Sequence, residues 1–108
     1  MLSLADNIAW HYISPVIRSF ANKDTEKVWR EEPTRRWPVA LRRAALRKLI
    51  MLHTAERLEE LTYPPGNRLE KLRGSRAGQY SLRINNQWRI CFRWVGNHAE
   101  DVEIVDYH

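Results

Sequence analysis

A block of basic side chains between residues 68 and 93 is the part of this sequence best suited to chemistry on phosphate groups. The block contains a single acid, Glu70. Arginine presents a planar fork of N–H donors that binds pairs of phosphate oxygens, so an arginine-rich block favours a polyanionic partner. The basic residues of the block are Arg68, Lys71, Arg73, Arg76, Arg83, Arg89 and Arg93.

The charge changes sign after this block, because four acids and no lysine or arginine follow Arg93. The net charge of the 108 residues is +5, and the basic residues are mostly arginine. Such blocks indicate a surface with a defined charge pattern. Two alternatives stay open: arginine-rich codon usage, and partial neutralisation of the basic strands by the acidic one. The four acids are Glu100, Asp101, Glu103 and Asp106.

RNA can be cleaved without a metal if its own 2′-hydroxyl attacks the phosphate. This reaction needs a base for the hydroxyl proton, cations for the phosphorane charge and an acid for the departing 5′ oxygen. Glu70 is the carboxylate inside the basic block, and a cluster of proton-transfer groups closes the chain at residues 106–108. The alternative is that this end is frayed and without function. Candidate clamps are Arg73, Arg76 and Arg89, and the terminal cluster is Asp106, Tyr107 and His108.

Composition excludes several other classes of protein. One cysteine, Cys91, excludes an intramolecular disulfide framework and a cysteine-rich zinc site, and the four histidines have no metal-binding spacing. There is no apolar run near 18 residues, no Ser-His-Asp arrangement and no dinucleotide fingerprint. The first residues have no basic region and contain Asp6, so we expect no signal peptide and a cytoplasmic protein.

The spacing of apolar residues predicts the elements that must position these groups. Residues 16–20 alternate like a short strand, and Asn22 or Asp24 can cap a helix that runs through Trp29. A long amphipathic helix begins at Pro38 and continues to about residue 56, with Leu41, Ala45, Leu49 and Leu52 on its apolar side. Residues 57–61 can add a turn, and the Pro-Pro-Gly at 64–66 ends it.

The second half of the chain reads as antiparallel strands at about 69–72, 79–84, 88–95 and 102–106. The apolar sets of the two central strands share one face only if the turn between them has an odd number of residues. A three-residue turn at 85–87 therefore pairs Ile84 with Trp88. The opposite face then carries an arginine-lined surface, with an inert Cys91 among the arginines. Of the tryptophans, only Trp37 is predicted outside the core and free to stack on a base.

These residues, taken in order, resemble the HigB toxins, which are RelE-like mRNA interferases of bacterial type II toxin–antitoxin systems. The resemblance implies an α+β fold, with an N-terminal strand and two to three helices packed on a small antiparallel β-sheet. It also implies ribosome-dependent cleavage of mRNA without a cofactor or metal. The matching segments are 16–20 (VIRSF), 65–70 (PGNRLE), 74–79 (GSRAGQ), 87–92 (QWRICF) and 102–108 (VEIVDYH).

The resemblance also suggests roles for individual residues. Glu70 stands where some members have a catalytic histidine, and Arg73 stands where they have a lysine. Arg89 matches the family's phosphate-stabilising arginine, and Gln87 lies near an asparagine implicated in some members. Asp106, Tyr107 and His108 match the terminal catalytic motif. We therefore expect catalysis by Glu70, Arg73, Arg89 and residues 106–108. The residues expected to bind RNA are Arg68, Lys71, Arg76, Arg83, Gln87 and Arg93.

The implied partners are the ribosome with its mRNA, a HigA-like helix-turn-helix antitoxin, and operator DNA through the antitoxin complex only; no membrane partner is expected. Residues 1–15 precede the resemblance, and the toxin domain is predicted at 16–108. A valine at position 16 suggests an upstream start chosen in place of a GTG codon; alternatively, residues 1–15 form an apolar helix that docks on the domain or on a partner. Glu70 keeps a second function open, a non-cleaving RNA- or ribosome-binding module, and a regulatory protein that acts through a partner on DNA is a third.

Overall fold

The computed structural model describes residues 16–107, and this part of the chain forms an α+β fold. Two helices cover one face of a four-stranded antiparallel sheet whose strand order is β1-β2-β3-β4. Three short 3-10 helices span Leu58–Thr62, Pro65–Asn67 and Gly74–Arg76. The main elements are α1 (Lys23–Trp29), α2 (Val39–Thr54), β1 (Glu70–Lys71), β2 (Gln79–Arg83), β3 (Trp88–Val95) and β4 (His98–Asp106).

The two helices form where caps and apolar spacing predict them. Asn22 caps α1, because its side-chain oxygen accepts a hydrogen bond from the Thr25 backbone N–H at 2.8 Å. All four predicted apolar positions of α2 are buried, and three of them are completely inaccessible to solvent. This stripe packs on the sheet, so α2 and the strands share one hydrophobic core.

The pairing of the two central strands confirms the odd-numbered turn. Leu82 lies opposite Ile90, and Arg83 lies opposite Arg89. The Ile84 backbone N–H donates to the Trp88 carbonyl at 2.9 Å, which continues the same register. Because side chains alternate along a strand, this register sends the apolar sets to the helices and the polar sets to the other face of the sheet.

The strand β4 begins four residues before the predicted start, at His98. A register shift in its pairing with β3 explains the difference, since Asp101 has a positive φ of 53° there. The bulge interrupts the apolar alternation that sequence reasoning relies on. Residues 16–20 do not form a continuous strand: they run parallel to β4 through two isolated bridges, Ile17 with Ala99 and Phe20 with Val102.

The prediction for Trp37 is wrong, because only 4% of this residue is exposed. Its ring packs edge-on against Trp88 at 6.3 Å between centroids, and the Arg36 guanidinium lies 5.2 Å from its centre. Trp37 therefore belongs to the core and cannot stack on a base. The predictions for residues 1–15 and for His108 concern positions outside the described residues.

Candidate functional site

The guanidinium of Arg89 is the centre of the polar face of the sheet. Only 6% of Arg89 is exposed. Its Nε donates to the Ser81 hydroxyl at 2.7 Å, and its Nη2 donates to the carbonyls of Ser81 and Arg68. The protein thus replaces the water that a buried cation loses with fixed oxygen acceptors. Within residues 16–107, Nη1 has no hydrogen-bond partner, so its two N–H groups remain available for an anion.

A cleft of about 240 Å³ opens beside Arg89. Its walls come from three parts of the chain: the loop before β1, the β2–β3 turn and the C-terminal end of β4. Three arginines and one carboxylate surround it, so its charge is suited to a phosphodiester. The lining residues are Arg68, Glu70, Arg83, Asn85, Asn86, Arg89 and Tyr107.

The strand register brings Glu70 to Arg89. Glu70 lies opposite Ser81, the residue whose hydroxyl holds Arg89, and its carboxylate oxygen is 3.8 Å from Arg89 Nη2. The Glu70 side chain is about half exposed, at 48%. A carboxylate next to a cation and open to solvent can accept a proton from a bound hydroxyl group. The geometry therefore places a carboxylate beside a guanidinium that is chemically suited to bind phosphate.

Tyr107 closes the cleft at the other end. Its ring centre is 5.3 Å from the Arg89 guanidinium carbon, within the range of a cation–π contact. The Tyr107 backbone N–H donates to the Gln87 carbonyl at 2.7 Å, which fixes the end of the chain against the β2–β3 turn. Tyr107 is 40% exposed and lines the cleft, so it adds a phenol group to the site.

Two of the predicted RNA-binding arginines lie away from the cleft and are already paired with acids. Arg76 contacts Glu103 at 3.2 Å, and Arg93 contacts Asp101 at 3.5 Å. The polar face is therefore not a uniform arginine surface, and the acidic strand neutralises part of it, as the alternative interpretation held. A role of these two arginines in RNA binding remains a prediction.

The other candidates divide between the two faces of the sheet. Lys71 pairs with Tyr80, which places it on the face opposite to Glu70. Arg73 is exposed and precedes the 3-10 helix at 74–76. Asp106 lies opposite Trp88 rather than Arg89, and its carboxylate accepts from the Gln87 side chain at 3.1 Å. Of the terminal motif, the structure thus brings only Tyr107 to the cleft, and His108 lies outside the described residues.

Sequence reasoning missed three residues of the site. Ser81 supplies two of the acceptors that hold Arg89. Asn85 and Asn86 line the cleft from the β2–β3 turn, and the Asn86 side chain accepts from Arg83. The sequence did contain a signal for the two asparagines, since their turn lies between Arg83 and Arg89. A tight turn brings the ends of its strands together, so its residues lie close to both arginines.

Cys91 lies in the same row of the sheet as Ser81 and is completely buried. Burial raises the pKa of its thiol, and Glu103 adds to this effect while Arg76 and Arg89 oppose it. A neutral buried thiol is a poor nucleophile. Among residues 16–107, no three metal-ligating side chains come together, and no helix is long and apolar enough to cross a membrane.

Comparisons with known proteins agree with this fold. The family model for the RelE-like toxin of the type II toxin–antitoxin system HigB matches residues 18–108. Toxin HigB-1 of Vibrio cholerae is 38% identical over 81 residues, which cover 74% of this chain and 85% of the relative. An uncharacterised protein of Haemophilus influenzae is 32% identical over 65 residues, or 60% of this chain and 64% of that protein.

A solved structure shows the same fold at lower sequence identity. The YoeB–YefM complex from Staphylococcus aureus contains a chain that matches with a TM-score of 0.53 and 20% identity, covering 89% of this chain and 99% of that one. The structural match shows the fold, and the family model over residues 18–108 shows that the chain is a RelE-like toxin. The chain belongs to the HigB family of type II toxin–antitoxin toxins.

Proposed function

We propose that this toxin is an endoribonuclease that cleaves mRNA on the ribosome. One observation carries the proposal: the buried guanidinium of Arg89 lies between the Glu70 carboxylate, at 3.8 Å, and the Tyr107 ring, at 5.3 Å. A cation fixed by protein acceptors needs no reorganisation when negative charge develops on a phosphate. This arrangement supplies the base and the clamp for attack by a 2′-hydroxyl group, and it adds a donor for the leaving oxygen.

In the proposed reaction, Glu70 removes the proton from the 2′-hydroxyl group as its oxygen attacks the adjacent phosphorus. The bond from phosphorus to the 5′ oxygen breaks, which leaves a 2′,3′-cyclic phosphate and a 5′-hydroxyl end. Arg89 Nη1 binds the phosphate oxygens, while Arg68 and Arg83 hold the flanking backbone from the walls of the cleft. Tyr107 and His108 supply the proton to the departing 5′ oxygen. No step requires a metal ion.

The proposed dependence on the ribosome follows from the small cleft. A cavity of about 240 Å³ has room for no more than part of one nucleotide, so a message must be presented in a splayed conformation. Translation supplies such a substrate when the message is held in the decoding site. The cytoplasm, where messages are translated, is the compartment in which this activity takes place.

The proposed inhibitor is a HigA-like helix-turn-helix antitoxin, and the proposal extends to repression of the operator by the toxin–antitoxin complex. Membership of a toxin–antitoxin family supports an antitoxin partner. The structurally similar chain from Staphylococcus aureus comes from a complex of YoeB with YefM, which is a precedent for such a pair on the same fold. Co-expression with the cognate antitoxin should restore growth.

The test is induction of the protein in a bacterial host without antitoxin, followed by mapping of mRNA 5′ ends. We expect growth arrest and new ends inside coding regions, and these ends should disappear from a message whose translation initiation is blocked. Cleavage of naked RNA at the same rate would contradict ribosome dependence. Binding to ribosomes without any new ends would favour the non-cleaving binding module.

A further inference from the structure

Asn67 is a completely buried polar residue for which the proposed reaction has no direct use. Its side-chain oxygen accepts a hydrogen bond from Lys48 Nζ at 2.6 Å. Its side-chain nitrogen donates to the backbone carbonyls of Tyr63, at 3.0 Å, and Leu61, at 3.2 Å. Both the oxygen and the nitrogen of the amide therefore have partners, and these hydrogen bonds connect the loop before β1 to α2.

The residue that follows Asn67 bears directly on the cleft. Arg68 adopts the left-handed conformation, with φ at 43°, which costs energy in any residue other than glycine. In this conformation the Arg68 carbonyl accepts a hydrogen bond from Arg89 Nη2. A strained backbone persists only if its neighbours hold it, and the nearest fixed group is the Asn67 amide. The orientation of the Arg89 guanidinium thus depends on the position of Asn67.

Lys48 connects this anchor to the long helix. Burial lowers the pKa of Lys48, and the positive charges of Arg47 and Arg83 lower it further. Arg83, whose charge contributes to this shift, is one of the residues that line the cleft. The Lys48 Nζ is committed to the Asn67 oxygen, so the helix contributes to the site by fixing the loop.

We propose that Asn67, held by Lys48, is a positioning residue that fixes the Arg68 carbonyl and thereby aims Arg89 at the phosphate. The inference rests on the proposed function, because its consequence is a faster chemical step. A residue that serves the core alone would affect stability without a specific effect on Arg89. A positioning residue must lose its effect on the rate once Arg89 has been replaced.

The kinetic test compares Asn67→Ala and Lys48→Met with Arg47→Met, which removes one positive charge from the adjacent, exposed position of α2. We expect kcat for cleavage of ribosome-bound mRNA to fall by about 100-fold in Asn67→Ala and by about 10-fold in Lys48→Met, with KM within about two-fold, since a small misplacement of a catalytic group costs this much. Lys48→Arg should restore part of the rate. Arg47→Met should leave kcat unchanged.

The decisive comparison is made in an Arg89→Lys background. There, Asn67→Ala and Lys48→Met should lower kcat by less than about two-fold further, because the group that they position is gone. Equal effects in both backgrounds would overturn the inference, as would a normal kcat in folded Asn67→Ala. If Asn67→Ala does not fold, the effect of Lys48→Met on kcat is compared in the two backgrounds instead. Lys48→Met removes one hydrogen bond and keeps the aliphatic part of the side chain.

A second measurement separates failure of this inference from failure of the proposed function. Proton exchange at Arg89 Nε, followed by nuclear magnetic resonance in the free protein, reports how firmly the guanidinium is held and needs no activity. We expect exchange to accelerate about ten-fold or more in Lys48→Met, relative to the Ile90 backbone amide as a reference for global opening. Unchanged exchange would overturn the inference, even if the wild-type protein cleaves mRNA. Absence of wild-type cleavage with accelerated exchange would overturn only the proposed function.

Discussion

Single residues of the site combine opposite requirements, and Arg89 is the clearest case. Its side chain is almost fully buried, yet in the proposed reaction its charge acts on a phosphate. Ser81 and Arg68 satisfy the inner N–H groups, and Glu70 offsets part of the charge from 3.8 Å away. The residue is thus stabilised by the protein on one side and faces the cleft on the other. Its replacement should affect both stability and chemistry, and the two effects can be separated.

Replacement of Arg89 by alanine separates its effect on cleavage from its effect on stability. Arg89→Ala should lower the cleavage rate by about 10²–10³-fold, because one preorganised donor to a developing charge is worth about 2.7–4 kcal/mol. The variant should also lose about 1–3 kcal/mol of unfolding free energy, since Ser81 is left without its buried partner. Cleavage assays and denaturant unfolding measure the two effects. Arg42→Ala, in a separate groove formed with Val39 and Glu31, is the control. Equal and mild effects on cleavage would indicate a diffuse basic binder.

Replacement of Glu70 tests the assignment of the base. Glu70→Gln keeps the shape of the side chain and removes the proton acceptor, so cleavage should slow by about 10²–10⁴-fold. Ribosome binding should be retained or become tighter, because the cleft becomes more positive. The measurement is single-turnover cleavage with a parallel binding assay. Glu59→Gln, an exposed acid in the 3-10 helix at 58–62, is the matched control. A wild-type cleavage rate in Glu70→Gln would show that Glu70 is not the base.

At the scale of elements, the sequence predicted those whose patterns are local. The α2 stripe and the Ile84–Trp88 register follow from apolar spacing and an odd-numbered turn, and both are confirmed. The start of β4 was missed because the bulge at Asp101 breaks the alternation. The burial of Arg89 was missed as well, because its acceptors come from two other segments, 8 and 21 residues away along the chain. The spacing of residues along the sequence does not reveal hydrogen bonds between polar groups that are distant in the chain.

The contact between α2 and the N-terminal segment gives a prediction about pH. His53, near the end of α2, is buried against Trp29 and accepts a hydrogen bond from the Ile17 backbone N–H at 3.4 Å. Burial lowers the pKa of His53 below its ordinary value of 6.5. The folded protein therefore favours neutral His53, whereas the unfolded chain takes up a proton below about pH 6.5. Protonation of His53 in the unfolded chain therefore has no effect on stability above that pH, and it lowers the stability as the pH falls toward the lowered pKa.

Denaturant unfolding at pH values from 7.5 to 5 tests this linkage. The unfolding free energy should fall below pH 6.5, with a contribution from His53 of at most about 1.4 kcal/mol per pH unit. His53→Gln should be less stable than the wild type at pH 7.5, and the gap between the two proteins should narrow as the pH is lowered. A gap that stays constant over this range would mean that His53 does not contribute to the pH dependence of stability.

Across the whole molecule, positive charge is spread over many surface positions, whereas the residues of the candidate site lie together in one cleft. The net charge of +5 favours association with a polyanion, but several cations are paired within the described sheet, including Arg76 and Arg93. The cleft keeps three arginines together around one carboxylate. Long-range attraction is therefore a property of the surface, whereas the proposed cleavage depends on this one cleft. Raising the salt concentration should weaken association strongly while leaving the rate of the bound complex nearly constant.

The C-terminal end is where fold and function are most easily separated. A chain that ends at Asp106 lacks Tyr107 and His108 but loses no residue of the described core, so its thermal midpoint should change little. It loses the phenol ring beside Arg89 and the hydrogen bond from the Tyr107 backbone to Gln87. We therefore expect toxicity and mRNA cleavage to disappear while antitoxin binding survives, as measured by growth, 5′-end mapping and co-purification. Restoring Tyr107 alone shows which of the two groups protonates the leaving oxygen. A folded, truncated protein that still arrests growth would assign the chemistry to Arg89 and Glu70 without this end of the chain.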